Sequence, residues 1–325
     1  MQLQTNFDIP PYPTPINYDK TIVTVGSCFS TVIGNKLLER KFEVLNNPFG
    51  TIFNPLSLFT LLQKSIAGQN LPHEMVIGFQ GRYLHYGCHS EISASSKTGL
   101  LNKIQQAIEK TALALSHASH LIITMGTTYV YEHLQFNQTV ANCHKQPAKL
   151  FKKRSLDILE MRSAFEALAT PLIAINPNLN IILTVSPVRH IKDGIPENQY
   201  SKSLLRVFCH ELETFFKNVS YFPSYEIMLD ELRDYRFYKE DMIHPSSQAE
   251  QYIWEKFSKS FLTNDTQKTV LRIEEIIRSL SHKPFNPSGE SHQAFLKNLL
   301  QKMEQMTPKI DFTSEVNFVK SQILS

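Results

Sequence analysis

The chain has 325 residues, 42% of them hydrophobic, and a formal net charge of +3. That is apolar content for one large α/β domain plus an accessory piece, and the small charge makes no nucleic-acid surface; the densest basic run, Lys152-Lys153-Arg154, is short. The four cysteines (Cys28, Cys88, Cys143 and Cys209) include no C-x-x-C pair, which argues against a zinc site, a thioredoxin motif or a disulfide framework.

No apolar run reaches the roughly 20 residues of a membrane span, and no basic-then-apolar signal opens the chain. The expectation is a cytoplasmic protein with reduced thiols.

In chain order, residues 9–15 (Ile-Pro-Pro-Tyr-Pro-Thr-Pro) cannot form a helix or a central strand and predict an extended arm on the domain surface. Residues 22–25 are an apolar β-branched run and predict a buried strand. Gly26 stops it, Ser27 and Cys28 follow, and 31–42 predicts a helix through Val32, Ile33, Leu37 and Leu38. Strand, glycine, nucleophile, helix lifts a reactive side chain above a sheet edge. It aims that side chain at helix N-terminal N–H groups that can hold an anion.

Residues 46–55 are dense in turn formers and lead into a helix over 56–67. Residues 75–92 predict a hairpin laid at the sheet edge. A helix over 100–116 leads into a second buried strand, 120–126, and 132–150 reads as irregular. A helix over 156–169 precedes a third buried strand, 180–187. A helix over 201–217 precedes a last strand, 219–228, and 246–261 closes the α/β body. From residue 265 two amphipathic helices, 270–280 and 292–306, predict a helical hairpin packed on the domain. The expected units are therefore 1–264 and 265–325.

Short apolar strands alternating with helices predict a mainly parallel sheet covered on both faces. Ligands bind such sheets at the carboxyl ends of the strands. Gly26-Ser27-Cys28, Gly126-Thr127-Thr128 and Ser186-Pro187-Val188-Arg189-His190 all fall there, which points to one composite site. Asp241-Met242-Ile243-His244-Pro245 supplies a carboxylate three residues before an imidazole. On a tight turn that carboxylate can fix the ring's tautomer and stabilise its cation. The bland alternative is a surface Asp and a histidine that caps the next helix.

Gly26-Ser27-Cys28-Phe29-Ser30 resembles the signature of the GSCFA family, grouped with the SGNH/GDSL hydrolases. The resemblance covers most of residues 20–290 and includes Asn47-Pro48-Phe49-Gly50 and Asn142-Cys143-His144-Lys145. It implies a three-layer α/β/α sandwich and a nucleophile–His–Asp mechanism acting on O-acyl esters, such as those of a carbohydrate or cell-envelope glycan. It implies no cofactor and no metal. Asp241 and His244 match the C-terminal D-x-x-H. The superfamily register puts Cys28 at the nucleophile position; a shift of one would make it Ser27. Cysteine is competent there, because a thiol paired with His is highly nucleophilic.

For the oxyanion, Gly50 matches the second-block glycine. Thr128 stands where the superfamily has asparagine, so Asn54 or Asn47 is the alternative amide donor. His144, Arg189 and His190 are candidate substrate contacts. His144 could instead hold its own loop, and Arg189 an internal ion pair. Arg233, Asp234 and Arg236 read as a structural charge network, and His85 with His89 as no metal site. Two readings of another kind stay open: a catalytically weakened binding or scaffold protein, for which Thr128 speaks, and an acyltransferase using Cys28.

Overall fold

The structure, a computed structural model, describes residues 5–306 and 310–324. β1 (Ile22–Gly26) leads through α1 (Cys28–Glu39) to β2 (Val44–Asn46), and α2 (Pro55–Ile66) to the hairpin β3 (Val76–Phe79) and β4 (Arg82–His85). Then come α3 (Lys97–His117), β5 (His120–Met125), β6 (Tyr129–His133), β7 (Gln138–Val140) and β8 (Phe151–Ser155). The body continues with α4 (Ile158–Ile175), β9 (Asn180–Val185), α5 (Ile195–Phe215), β10 (Val219–Tyr221), α6 (Ser224–Glu226) and α7 (Ser247–Phe261). The chain ends in α8 (Asn264–Leu280), α9 (Glu290–Met306) and α10 (Thr313–Lys320).

The central sheet is parallel throughout, with five strands in the order β10-β9-β5-β1-β2. Alternate residues of each strand point to opposite faces. Val23, Val25, Ile123 and Leu183 pack under α2, α3, α4 and α5. Ile22, Ile122 and Ile182 pack under α1 and α7, against Phe29, Ile33, Trp254 and Phe257. Burial on both faces is what continuous apolar strands require, and it makes a three-layer α/β/α sandwich.

After β1 the chain moves to one side to form β2, then returns on the other side of β1 as β5. The strand order thus reverses between β1 and β5, where open α/β sheets have their ligand crevice. Gly26 closes β1 at that point with φ +141°, and a Cβ there would lie 2.1 Å from the Thr124 carbonyl oxygen. No side chain fits.

Several boundaries differ from the sequence expectations. β3 and β4 pair antiparallel as a separate sheet, not at the edge of the central one. Residues 132–150, expected to be irregular, contribute to a three-stranded antiparallel sheet, order β7-β6-β8. Its strands are short and its exposed positions include Gln138, Lys152 and Lys153. One face is apolar, through Tyr131, Val140 and Phe151 packed with Tyr86; on the other, Val130 alone reaches the main core, beside Glu132, Lys152 and Arg154.

The strand expected over 219–228 stops at Tyr221, and α6 follows. The N-terminal arm lies along the surface, with Pro10, Pro11, Pro13 and Pro15 exposed, and is pinned by the buried side chains of Tyr12 and, just past the arm, Ile16. The Tyr12 N–H donates to the Ser260 carbonyl at 2.8 Å, and Ile16 bridges Leu262. The C-terminal hairpin gains a third helix, α10. The three helices share a cluster of Ile273, Leu296, Leu299, Met303 and Phe312. Arg40 on the body reaches Glu274 of α8 at 2.6 Å, and Lys41 reaches Glu315 of α10 at 2.6 Å.

Candidate active site

Ser27 and Cys28 occupy adjacent positions with different fates. Ser27 is the N-cap of α1. It is 1% exposed, and its Oγ donates to Ser186 Oγ at 2.9 Å. Cys28 is the first helical residue, partly exposed and unbridged. Its sulfur lies over the backbone N–H groups of Cys28 and Phe29, which have no intrahelical acceptor. Burial pushes the thiol up; those N–H groups and the charges of Lys202 and Lys239 pull it partly back. The resting group is a thiol that needs a base.

Asn47 holds this turn in place. Its Oδ1 accepts the Gly26 N–H at 2.8 Å, and its Nδ2 donates to Thr31 Oγ1 at 2.7 Å. Both ends of the amide are spent, so Asn47 braces the turn.

The Asp241–His244 turn is closely tied. Asp241 Oδ2 lies 2.7 Å from His244 Nδ1, and its Oδ1 accepts the Ile243 and His244 N–H groups at 2.8 and 3.0 Å. These bonds to the charged form hold the Asp241 carboxyl well below the usual carboxylate range. Nδ1 is engaged, so Nε2 is the nitrogen left for proton transfer. Met242 carries φ +56°, the local cost of turning that tightly.

Two contacts tie this turn to the rest of the site. The Arg189 N–H donates to the Ile243 carbonyl at 3.1 Å, and its guanidinium to the Met242 carbonyl at 2.8 Å. The Lys239 N–H donates to the His244 carbonyl at 2.8 Å, and the Lys239 charge is felt at Cys28. Cys28 and Ile243 border the same apolar cluster.

Gly50 has φ +73° and its Cβ position is filled by His89; its N–H is given to the Asn47 carbonyl at 2.8 Å. The Thr128 hydroxyl is buried with Ser155 and Ser201, at 2.9 and 3.2 Å. Asn54 Oδ1 caps α2 through the Ser57 N–H at 2.8 Å, which leaves its amide nitrogen for the cleft that Asn54 borders. His144 holds its own loop: its ring nitrogens meet the His85 carbonyl at 2.8 Å and Ser90 Oγ at 3.2 Å. Arg189 serves the Asp241–His244 turn rather than an ion pair. His190 packs edge-on against Phe53 at 4.8 Å, and burial drops its pKa to about 4, with Lys202 and His244 among the charges it feels. Arg233 and Arg236 pair locally with Asp230 and Asp234.

Sequence reasoning missed Lys202. It is 1% exposed, and its Nζ donates to the Ser186 carbonyl at 2.7 Å. The signal was present: Lys202 falls on the buried stripe of α5 with Leu205, Cys209 and Leu212. A lysine on that stripe reads from sequence as a solvent-facing charge, which is why it passed unnoticed.

Residues 21–257 match the GSCFA family model. The chain belongs to the GSCFA family. Residues 273–325 match the model for the C-terminal domain of GSCFA domain proteins, which covers the second half of α8 and all of α9 and α10. Among curated proteins none matches.

Solved structures similar to this GSCFA protein include an acetyl esterase mutant with acetate ion, 9% identical with a TM-score of 0.37, matched over 79% of this chain and 99% of that one. A carbohydrate esterase family 3 protein from Talaromyces cellulolyticus is 7% identical with a TM-score of 0.36, over 79% and 99% of the two chains. An acetyl xylan esterase from the rumen bacterium Butyrivibrio proteoclasticus is 13% identical with a TM-score of 0.36, over 75% and 65%.

A cleft of about 490 Å³ is bordered by Phe53, Asn54, Thr127, Tyr129, Tyr131 and His190, while Cys28 and His244 lie outside its lining. A larger groove, about 730 Å³, lies under the N-terminal arm against Arg206 and Tyr221, away from any nucleophile and base. Among the described residues no group of three or more His, Cys, Asp or Glu side chains is placed to hold a metal ion. Among them, too, no helix is long and apolar enough to cross a membrane.

Proposed function

We propose that this protein is an SGNH-type acyl-ester hydrolase in which Cys28 is the nucleophile, His244 the general base and Asp241 the group that orients it. One observation carries the reading: the 2.7 Å Asp241–His244 contact, on a turn whose Ile243 packs on the same apolar cluster as the partly exposed Cys28. The burial of Ser27 and its bond to Ser186 support Cys28 over Ser27.

In this mechanism Cys28 Sγ attacks the ester carbonyl as His244 Nε2 takes the thiol proton. The N–H groups at the start of α1, with the Asn54 amide, stabilise the oxyanion. Collapse expels the alcohol, which takes the proton from His244 and leaves a thioester on Cys28. Water then attacks the thioester, giving its proton to His244. The carboxylic acid leaves, Cys28 recovers its proton, and Asp241 holds the ring throughout. Gly50 and Thr128 are left out of the oxyanion site because their groups are engaged elsewhere.

The substrate we infer is an O-acyl ester of a carbohydrate, its sugar seated in the cleft beside Tyr129 and Tyr131, with His190 at the inner wall. We place the protein in the cytoplasm, where its free cysteines stay reduced, and its C-terminal unit from residue 265. The engaged Thr128 hydroxyl favours a second reading, a binding protein with weakened catalysis.

The test is hydrolysis of p-nitrophenyl acetate by wild type, Cys28→Ala and His244→Ala. The enzyme reading expects each variant to lose at least about 100-fold in rate. Equal rates in all three overturn it in favour of the binding protein.

A further inference from the structure

A lysine buried among helices with no counter-ion costs free energy, because its ammonium gives up water without a carboxylate in return. Lys202 is such a residue. It is 1% exposed, and among the described residues no ion pair includes it. Its Nζ donates to the Ser186 carbonyl at 2.7 Å and lies 5.6 Å from the centre of the Tyr225 ring. Ser186 Oγ in turn accepts from Ser27 Oγ at 2.9 Å, and Ser27 is the N-cap from which Cys28 starts α1. The chain Lys202–Ser186–Ser27 therefore ends one residue from the thiol.

We infer that Lys202 is a positioning residue for Cys28: through Ser186 it braces the nucleophile turn, and its buried ammonium stabilises the thiolate that forms there. The inference rests on the reading of Cys28 as nucleophile and adds the group that tunes it. The missing counter-ion is then supplied transiently by the sulfur.

The charges on the two groups are coupled, each favouring the ionised form of the other. Burial drops the Lys202 pKa to about 7, so the amine changes charge near neutral pH. The groups that bear on the pair are Lys239, whose charge Cys28 feels, His190 after β9, which feels both Lys202 and His244, and the Tyr225 ring of α6.

Alkylation of Cys28 by iodoacetamide tests this without any ester substrate. The full chain is labelled across pH 5.5–9.5 and the Cys28 peptide followed by mass spectrometry, in wild type and Lys202→Met. Below the lysine's midpoint the ammonium lowers the thiol pKa in wild type only. Wild type should therefore react about tenfold faster at low pH, and the two rates should converge as the amine loses its proton. A ratio independent of pH, in a folded variant, reduces Lys202 to a packing role and overturns the proposal.

Should Lys202→Met not fold, the profile of His244→Ala, which keeps Lys202 and removes the other titrating cation the mechanism sets at the thiol, decides. Coupling predicts two limbs of unit slope joined by a flatter segment near the lysine's midpoint, and a single unbroken slope up to the thiol's own midpoint overturns it. Loss of hydrolysis with this coupling intact removes the esterase reading and leaves the Lys202–Cys28 pair standing.

Discussion

Arg189 and Met242 are joined across the site: the guanidinium of Arg189, at the carboxyl end of the third apolar strand, donates to the Met242 carbonyl at 2.8 Å. The guanidinium also lies near the rings of Tyr238 and Tyr235, its Cζ 5.4 and 6.0 Å from their centres. This contact sets where His244 sits relative to the sheet. Arg189→Ala should lower kcat for p-nitrophenyl acetate roughly tenfold, through a displaced base, with KM little changed. Arg189→Lys should recover only part, since a point charge cannot reproduce the planar donor beside the two tyrosines. Steady-state kinetics on the two variants checks this.

Asp241→Asn should separate orientation from charge. The amide can occupy the carboxylate's place yet cannot stabilise the imidazolium, and it permits the wrong tautomer. The expected loss is about 100-fold or more in kcat, with the melting temperature changed by a few degrees at most, because the pair is half exposed.

Ser27→Ala and Cys28→Ala should behave in opposite ways. Removing the Ser27 hydroxyl leaves Ser186 without that buried donor, at about 1–2 kcal/mol of stability, while Cys28 still alkylates. Cys28→Ala should cost little stability and remove the labelled peptide. Denaturant melts paired with iodoacetamide mapping read both effects.

Acid should destabilise the fold through buried neutral histidines. His85 donates through Nε2 to the Pro72 carbonyl at 2.9 Å and accepts the Gly87 N–H on Nδ1 at 2.8 Å. A second ring proton would break that acceptor. His120 bonds the Thr14 carbonyl at 2.8 Å. Burial drops both to about 4, against an ordinary 6.5. The unfolded chain then binds protons that the native state refuses. Their contribution is whole above pH 6.5, falls as the pH drops to 4, and levels off below. Each ring accounts for on the order of 3 kcal/mol. Urea midpoints across pH 4–7 should fall with acid, and His120→Gln should flatten the slope.

Gly26→Ala should fail to give folded protein. Its Cβ would meet the Thr124 carbonyl oxygen at 2.1 Å in a backbone with φ +141°, a conflict worth at least about 3 kcal/mol. Soluble yield and far-ultraviolet circular dichroism report the outcome.

The sheet was legible because strands buried on both faces are near-continuous apolar runs, as in residues 22–25, 120–125 and 180–185, broken inside only by Thr24, Thr124 and Thr184. The D-x-x-H and the Gly-Ser-Cys turn were legible as local chemistry. What could not be read was which polar group each donor had already met. Gly50 and Thr128 fit the pattern of an oxyanion site, yet both are satisfied by near neighbours, and hydrogen-bond partners across 27 or 73 residues leave no periodicity. The three-stranded sheet escaped for a related reason: a one-sided surface sheet built from strands of three to five residues has too few apolar positions to stand out.

The clasp between Ile16 and Leu262 bears on how the molecule comes into being. The arm is synthesised before its seat at Ser260 and Leu262, which follows about 250 residues later. At about 5–20 residues per second, the early strands would wait roughly ten seconds or longer for their lid. A nascent chain stalled before α7 would hold Tyr12 and Ile16 bare, a natural handle for chaperones and a point of surveillance for incomplete product.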